Sequence, residues 1–165
     1  MLKLILILFI ESFAFQQKWI TYTESINKFT IRYPEEWTQT NNNRLAFLSP
    51  KENDKDQFQE NVNIILQDLS KQPMTLDQYT EISKKQIVDN LGSNAIVSLK
   101  SLTMAGQQAK EFVYDMNYQG KNLKVKQYWF IKNNTAFLFS YTAESPKFDK
   151  YQAIADNIIK SFKFF

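Results

Sequence analysis

Neither cysteine nor histidine occurs among the 165 residues of the chain. The first absence excludes disulfides, thiolate nucleophiles, zinc–thiolate sites and lipid attachment at an N-terminal cysteine. The second removes the usual general base at neutral pH and the commonest metal ligand, so Ser-His and Cys-His catalytic arrangements cannot be assembled. Glycine and proline are scarce, at 3 and 4 residues, and the turns must rest on Asn, Asp and Ser instead. Charge is nearly balanced: 20 Lys and Arg against 17 Asp and Glu leave a formal +3. That excess is too small and too dispersed for a nucleic-acid binder.

Aromatic residues, by contrast, are abundant, with 14 Phe, 8 Tyr and 3 Trp making up 15% of the chain. Rings pack well on a half-buried pleated surface, so this composition favours a sheet-rich fold. The length suits one domain with an adequate core. At the N-terminus, Lys3 precedes the apolar run Leu4–Ile10, and Ser12 and Ala14 stand at the spacing that a signal peptidase accepts. Residues 1–14 are therefore expected to be a secretory signal peptide, and 15–165 a single exported domain, periplasmic or extracellular. The run is too short for a membrane span, which needs about 20 apolar residues.

Along the rest of the chain, residues 29–33, 44–49 and 61–69 read as strands by apolar–polar alternation. Thr75 and Gly92 bracket a helix whose apolar positions are Leu76, Tyr79, Ile82, Ile87 and Leu91. Residues 96–104, 108–118, 123–131 and 135–142 read as a four-stranded meander, with Asn133-Asn134 suited to a primed hairpin turn. Ser145 as N-cap and Pro146 at the first helical position open a last helix. Its stripe is Phe148, Tyr151, Ala155, Ile158 and Phe162. Asp156 falls off that stripe, so its truncation is expected to change stability by no more than about 0.5 kcal/mol. The expected fold class is α+β, an antiparallel β-sheet covered by helices.

Few residues suggest chemistry. Glu52, Asp54, Asp56 and Glu60 form the densest carboxylate group, a weak candidate for calcium because Lys51 and Lys55 interleave and no EF-hand glycine is present. A solvated loop is the simpler expectation. Lys121, Lys124, Lys126 and Lys132 lie along one hairpin; they suit an acidic or lipid partner, and more simply an edge or a solvated face. Trp37 is expected to plug one end of the core, and Tyr128, Trp129 and Phe130 to serve as core and surface rings. Catalysis could rest only on a carboxylate pair in one cleft; two acids meeting in a deep pocket would favour a hydrolase.

The segment Phe29-Thr30-Ile31-Arg32-Tyr33-Pro34-Glu35-Glu36-Trp37 resembles the F-x-I-x-Y-P-x-x-W opening of the PsbP-like family. Phe47–Pro50, Phe58–Ile64, Thr75–Tyr79 and Tyr141–Phe162 are similar to later segments of its bacterial branch, in the same order. The resemblance implies an α-β-α sandwich. Plant members are non-enzymatic lumenal proteins of photosystem II linked to calcium and chloride retention. Their N-terminal photosystem-contacting region has no counterpart here, and no functional residue carries over. Bacterial members are mostly exported proteins of uncertain role. The resulting expectation is a non-enzymatic extracytoplasmic binding or assembly-accessory module of the cell envelope. It would be a monomer meeting a protein or envelope component, without nucleic acid, mature transmembrane segment or cofactor. The alternatives are a carboxylate-dependent hydrolase and a calcium-responsive structural protein.

Overall fold

Alternating burial along each strand decides which side chains meet which helix. The computed structural model describes residues 17–41 and 44–165; the expected signal peptide at 1–14 lies outside the described residues. The strands are β1 (Trp19–Glu24), β2 (Phe29–Pro34), β3 (Thr38–Thr40), β4 (Leu45–Leu48), β5 (Asn61–Asp68), β6 (Ile96–Met104), β7 (Gln107–Tyr118), β8 (Lys121–Lys132), β9 (Thr135–Glu144) and β10 (Lys163–Phe164). The helices are α1 (Leu76–Leu91) and α2 (Phe148–Lys160).

Seven strands form one antiparallel sheet in the order β3-β4-β5-β9-β8-β7-β6. Long strands are joined by two-residue turns at Ala105-Gly106, Gln119-Gly120 and Asn133-Asn134, with both central residues at positive φ in each. That backbone matches the right-handed twist of the flanking strands. Asn133 and Asn134 adopt it as expected, because a short amide side chain tolerates the left-handed region. α1 begins at a capping box in which the Gln78 N–H donates to Thr75 Oγ1 at 3.2 Å and the Thr75 N–H to Gln78 Oε1 at 2.9 Å.

The two faces of this sheet bury different sets of residues. One face carries Leu69, Phe112, Trp129 and Ala136 against α1, where Trp129 Nε1–H donates to Thr80 Oγ1 at 3.0 Å. The other carries Val62, Ile64, Tyr128, Phe130, Phe137, Phe139 and Tyr141 against α2. Tyr128, Trp129 and Phe130 are all buried, so alternation sorts them between two cores and none is a surface ring. Trp37 is buried at the end of the α2-side core, edge-on to Tyr151.

Several expectations need correction. Residues 29–33 do not join the main sheet: β2 pairs with β1 and β10 in a separate three-stranded sheet that shares the α2 layer. β10 appears because α2 stops at Lys160, after which the chain turns and lays Phe164 opposite Phe29. Phe162 thus leaves the helix stripe but is buried all the same, with rings of Phe29, Phe130, Phe137, Phe139 and Phe164 around it at 4.9 to 6.0 Å. Ser145–Lys147 is a 3-10 turn without a side-chain cap, so Ser145 is not the N-cap of α2. In α1, Ile82 and Leu91 are largely exposed while Tyr79 and Thr80 face the sheet. The lysine hairpin is interior, not an edge: β8 lies between β9 and β7, and Lys126 is only 7% exposed.

Phe162 joins both sheets to the helix end, so Phe162→Ala should cost about 3–5 kcal/mol in urea denaturation. A loss under about 1 kcal/mol would mean that the surrounding rings close the gap and the site is not packed as described.

Candidate functional site

Two clusters of buried charge flank the aromatic core beneath α2, and strand parity creates both. In β5 and the residue before it, positions 60, 62 and 64 point to the α2 face, so Glu60 follows Val62 and Ile64 inward and is fully buried. In β8, positions 124, 126, 128 and 130 do the same, which carries Lys126 beneath the helix. β7 sets Glu111 opposite Tyr128 on that same face.

The first cluster gathers at the start of α2. Lys147 Nζ donates to Asp56 Oδ1 at 3.1 Å and lies 3.2 Å from Glu144, 3.7 Å from Glu52 and 3.8 Å from Glu60. Glu52 also accepts from Lys150 Nζ at 2.6 Å and from Tyr151 OH at 2.9 Å. Asp56 accepts from the N–H groups of Glu52 and Phe58, and the Ser49 N–H donates to the Glu60 carbonyl at 2.8 Å to close the loop. The carboxylates also sit near the N-terminal end of α2, where the helix dipole favours negative charge.

Three of the four candidate acids, Glu52, Asp56 and Glu60, are therefore brought together, while Asp54 is exposed and is not a Lys147 partner. The solvated-loop expectation fails for Asp56 and Glu60, whose side chains are 2% and 0% exposed. The loop is tied down from α2 by a lysine 91 residues away in sequence. Among the described residues no group of three or more carboxylates is arranged to hold a metal ion; the Lys147 ammonium stands among these acids as their cation.

The backbone hydrogen bond from Glu52, then the Lys147 ammonium and the Phe58 N–H, hold the Asp56 carboxyl below its ordinary value against the opposing effect of burial. Glu60 is shifted the other way: burial raises it, despite backbone hydrogen bonds and the Lys147 charge. Its Oε1 is buried and accepts no hydrogen bond. Burial lowers the tendency of Lys147 to stay charged, but bonds to Asp56 and Glu144 outweigh it and raise its pKa.

The second cluster lies near the other end of α2. Lys126 Nζ donates to both oxygens of Asp156 at 3.0 and 3.1 Å and stands 3.7 Å from Glu111. Tyr128 OH donates to Asp156 Oδ1 at 3.2 Å, and burial, followed by the Asp156 and Glu111 charges, raises its pKa well above the ordinary phenol value. Asp156 is thus no neutral surface residue, contrary to the stripe argument. It is the counter-ion of a buried lysine. This cluster forms the polar part of a cavity of about 350 Å³ whose apolar wall includes Leu102, Met104 and Ile159. Neither Glu111 nor Asp156 is conspicuous in sequence; the signal was Lys126 recurring at the inward parity of an apolar strand.

The family model for PsbP matches residues 17–164. The chain belongs to the PsbP family. Solved structures that share its fold include the following three. Cyanobacterial PsbP (CyanoP) from Synechocystis sp. PCC 6803 is 13% identical with a TM-score of 0.62, over 91% of this chain and 94% of that one. PA94 from Pseudomonas aeruginosa, described as a protein of unknown function and putative regulator, is 12% identical with a TM-score of 0.63, over 87% and 94%. LpqN of Mycobacterium tuberculosis, described as involved in cell envelope biogenesis, is 12% identical with a TM-score of 0.59, over 88% and 90%. At such identities the likeness is one of fold. No curated protein sequence matches the chain. Among the described residues no helix is long and apolar enough to cross a membrane.

Because the folded state holds the Glu60 proton more tightly than the unfolded chain, Glu60 contributes stability at low pH. That contribution is lost as the pH rises from the ordinary carboxyl value of 4.5 through the raised folded value. Glu52 and Asp56, both lowered, act with the opposite sign and lose their contribution only as the solution becomes more acidic. Glu60→Gln should therefore gain stability relative to the wild type as the pH is raised from 4.5 to neutrality. Urea denaturation at a series of pH values reads this directly, and a pH-independent difference would contradict the burial of an ionisable Glu60.

Proposed function

We propose that the protein is an exported, non-enzymatic binding or assembly-accessory module of the cell envelope, meeting a protein or other envelope component as a monomer and using no cofactor. The observation that carries this reading is the cavity beside Lys126: it is large enough for a ligand group, and its polar part is an ion cluster with no nucleophile set against a base. Buried ion clusters are weak contributors to stability compared with apolar packing of the same volume, so one that opens into a cavity suits recognition. Family membership and the fold shared with an envelope-biogenesis protein support the compartment, as does the signal-peptide pattern of residues 1–14. Calcium is not part of this reading, because the Lys147 ammonium already stands among Glu52, Asp56 and Glu60 of the 51–60 loop, where a cation would have to sit.

One observation favours the hydrolase alternative: Glu111 and Asp156 line the same cavity. A hydrolytic pair needs one carboxyl protonated and the other ionised. Here a single ammonium lies beside both carboxylates and supplies positive charge to each, which suits binding better than turnover.

The test places a photo-crosslinking residue at Leu102, on the cavity wall, in the full precursor expressed in cells. The mature chain should begin at Phe15 in the extracytoplasmic fraction and crosslink to a recurrent partner, while the same probe at Ile26, on the exposed β1–β2 turn, should not. Intact Met1 on cytosolic protein, or equal crosslinking from both positions, would overturn the reading. Turnover of a glycoside that is lost in Glu111→Gln would replace it with the hydrolase.

A further inference from the structure

Resting on the reading of this chain as a binding module, we propose that the cavity receives a cation on a short alkyl stem, a guanidinium or ammonium group. The arginine or lysine side chain of a partner protein is one source and a free alkylguanidine or polyamine the other.

Charge gives the sign of the ligand. The poorly exposed charges of the cavity are two carboxylates, Glu111 and Asp156, and one ammonium, Lys126; the lining reaches formal balance only through the exposed Lys160. The ammonium is committed to Asp156 by two hydrogen bonds. Glu111 is held less closely by cations. Its two lysine neighbours, Lys126 and Lys100, stand at 3.7 and 3.9 Å, ion-pair contacts longer than hydrogen bonds, and the Tyr128 hydroxyl occupies only part of its acceptor capacity. Its side chain is 17% exposed and lines the cavity, so it keeps acceptor capacity on that side. An incoming anion would meet two carboxylates and an ammonium that is already paired, and would be repelled. Lys160 also lines the cavity, but it is exposed, and water and salt screen its charge.

Shape gives the stem. Leu102 on β6, Met104 at the end of that strand and Ile159 on α2 supply an apolar wall beside the carboxylates. Methylene groups can lie along such a wall while the charged head reaches Glu111, as long basic side chains do at interfaces. A volume of about 350 Å³ is at the small end of ligand sites, which fits one side chain or a short alkyl cation better than a sugar chain or a folded peptide. A guanidinium suits Glu111 best, because its planar donors match a carboxylate in a two-point contact.

The experiment follows backbone amide chemical shifts of the whole mature domain during titration with butylguanidinium, butylammonium, butyramide and butyrate. Butylguanidinium should give saturable shifts confined to the cavity residues, weakened at higher salt. Butyrate should give none, and Glu111→Gln should weaken the cation by about tenfold, the loss of one charge-assisted hydrogen bond. Should Glu111→Gln perturb the fold, Lys100→Gln, at an exposed position, removes a competing ammonium and should tighten binding by about twofold. A short capped peptide containing one arginine, compared with butylguanidinium, separates the sources: tighter peptide binding points to a partner's side chain, equal binding to a free cation. Equal affinity for butyramide or butyrate, or cation binding unaltered in both variants, overturns the proposal. Butyramide binding as tight as the cation leaves the cavity a binding site and removes only its charge selectivity. Absence of saturable shifts from all four probes rejects the cation and, with failed crosslinking at Leu102, rejects the binding module as well.

Discussion

A lysine whose side chain is 9% exposed, on an interior strand of a seven-stranded sheet, requires a counter-ion in a fixed place. Asp156 supplies it from α2, and this pairing constrains the α2 side of the molecule. It fixes the rotation of the helix, because only one helical face can place Asp156 over Lys126 while Ala155, Ile158 and Ile159 remain buried. It also fixes the position of the helix along the sheet, since Lys147, one residue before α2, must lie among Glu52, Asp56, Glu60 and Glu144. The aromatic core between the two clusters supplies most of the buried apolar surface, but apolar contacts alone are non-directional. The ion clusters supply the directions.

The two clusters differ in what they leave over. Around Lys147 the loop, the helix start and the end of β9 close on one ammonium, and Glu60 Oε1, 3.8 Å from that ammonium, is buried without a hydrogen bond. That arrangement fits a structural latch, with one carboxyl whose protonation is favoured by burial. Around Lys126 the closure is incomplete: the carboxylates of Glu111 and Asp156 border a cavity whose apolar wall is Leu102, Met104 and Ile159. The same device, an inward-facing charge on a strand, thus serves attachment at one end of the helix and borders a cavity at the other.

Much of the fold was legible in the sequence because it depends on local rules. The Thr75–Gln78 cap, the Asn133-Asn134 turn and the alternation of β5 are each set by residues within a few positions of one another. Strands β1 and β10 were not legible. β1 is a short strand ahead of the first motif, and β10 is two residues long and exists only because β2 lies where it can pair with it. The site was half legible. Glu52, Asp56 and Glu60 stand out as an acidic run, but their partner Lys147 lies far away in sequence, so nothing local distinguishes a solvated loop from a buried latch. For Asp156 periodicity itself misleads: a position beside an apolar helix stripe faces a buried charge of opposite sign instead of water.

The claim that this ion pair orients α2 is tested most directly by a double-mutant cycle on Lys126 and Asp156, using Lys126→Met, Asp156→Leu and the double variant in urea denaturation. Lys126→Met leaves Asp156 and Glu111 without their shared ammonium, Asp156→Leu leaves Lys126 only the longer contact with Glu111, and each should cost about 3 kcal/mol. The double variant should cost clearly less than the sum, with a coupling of about 2 kcal/mol or more. Single changes worth less than about 0.5 kcal/mol, adding without coupling, would contradict the account and leave the aromatic core alone to position the helix.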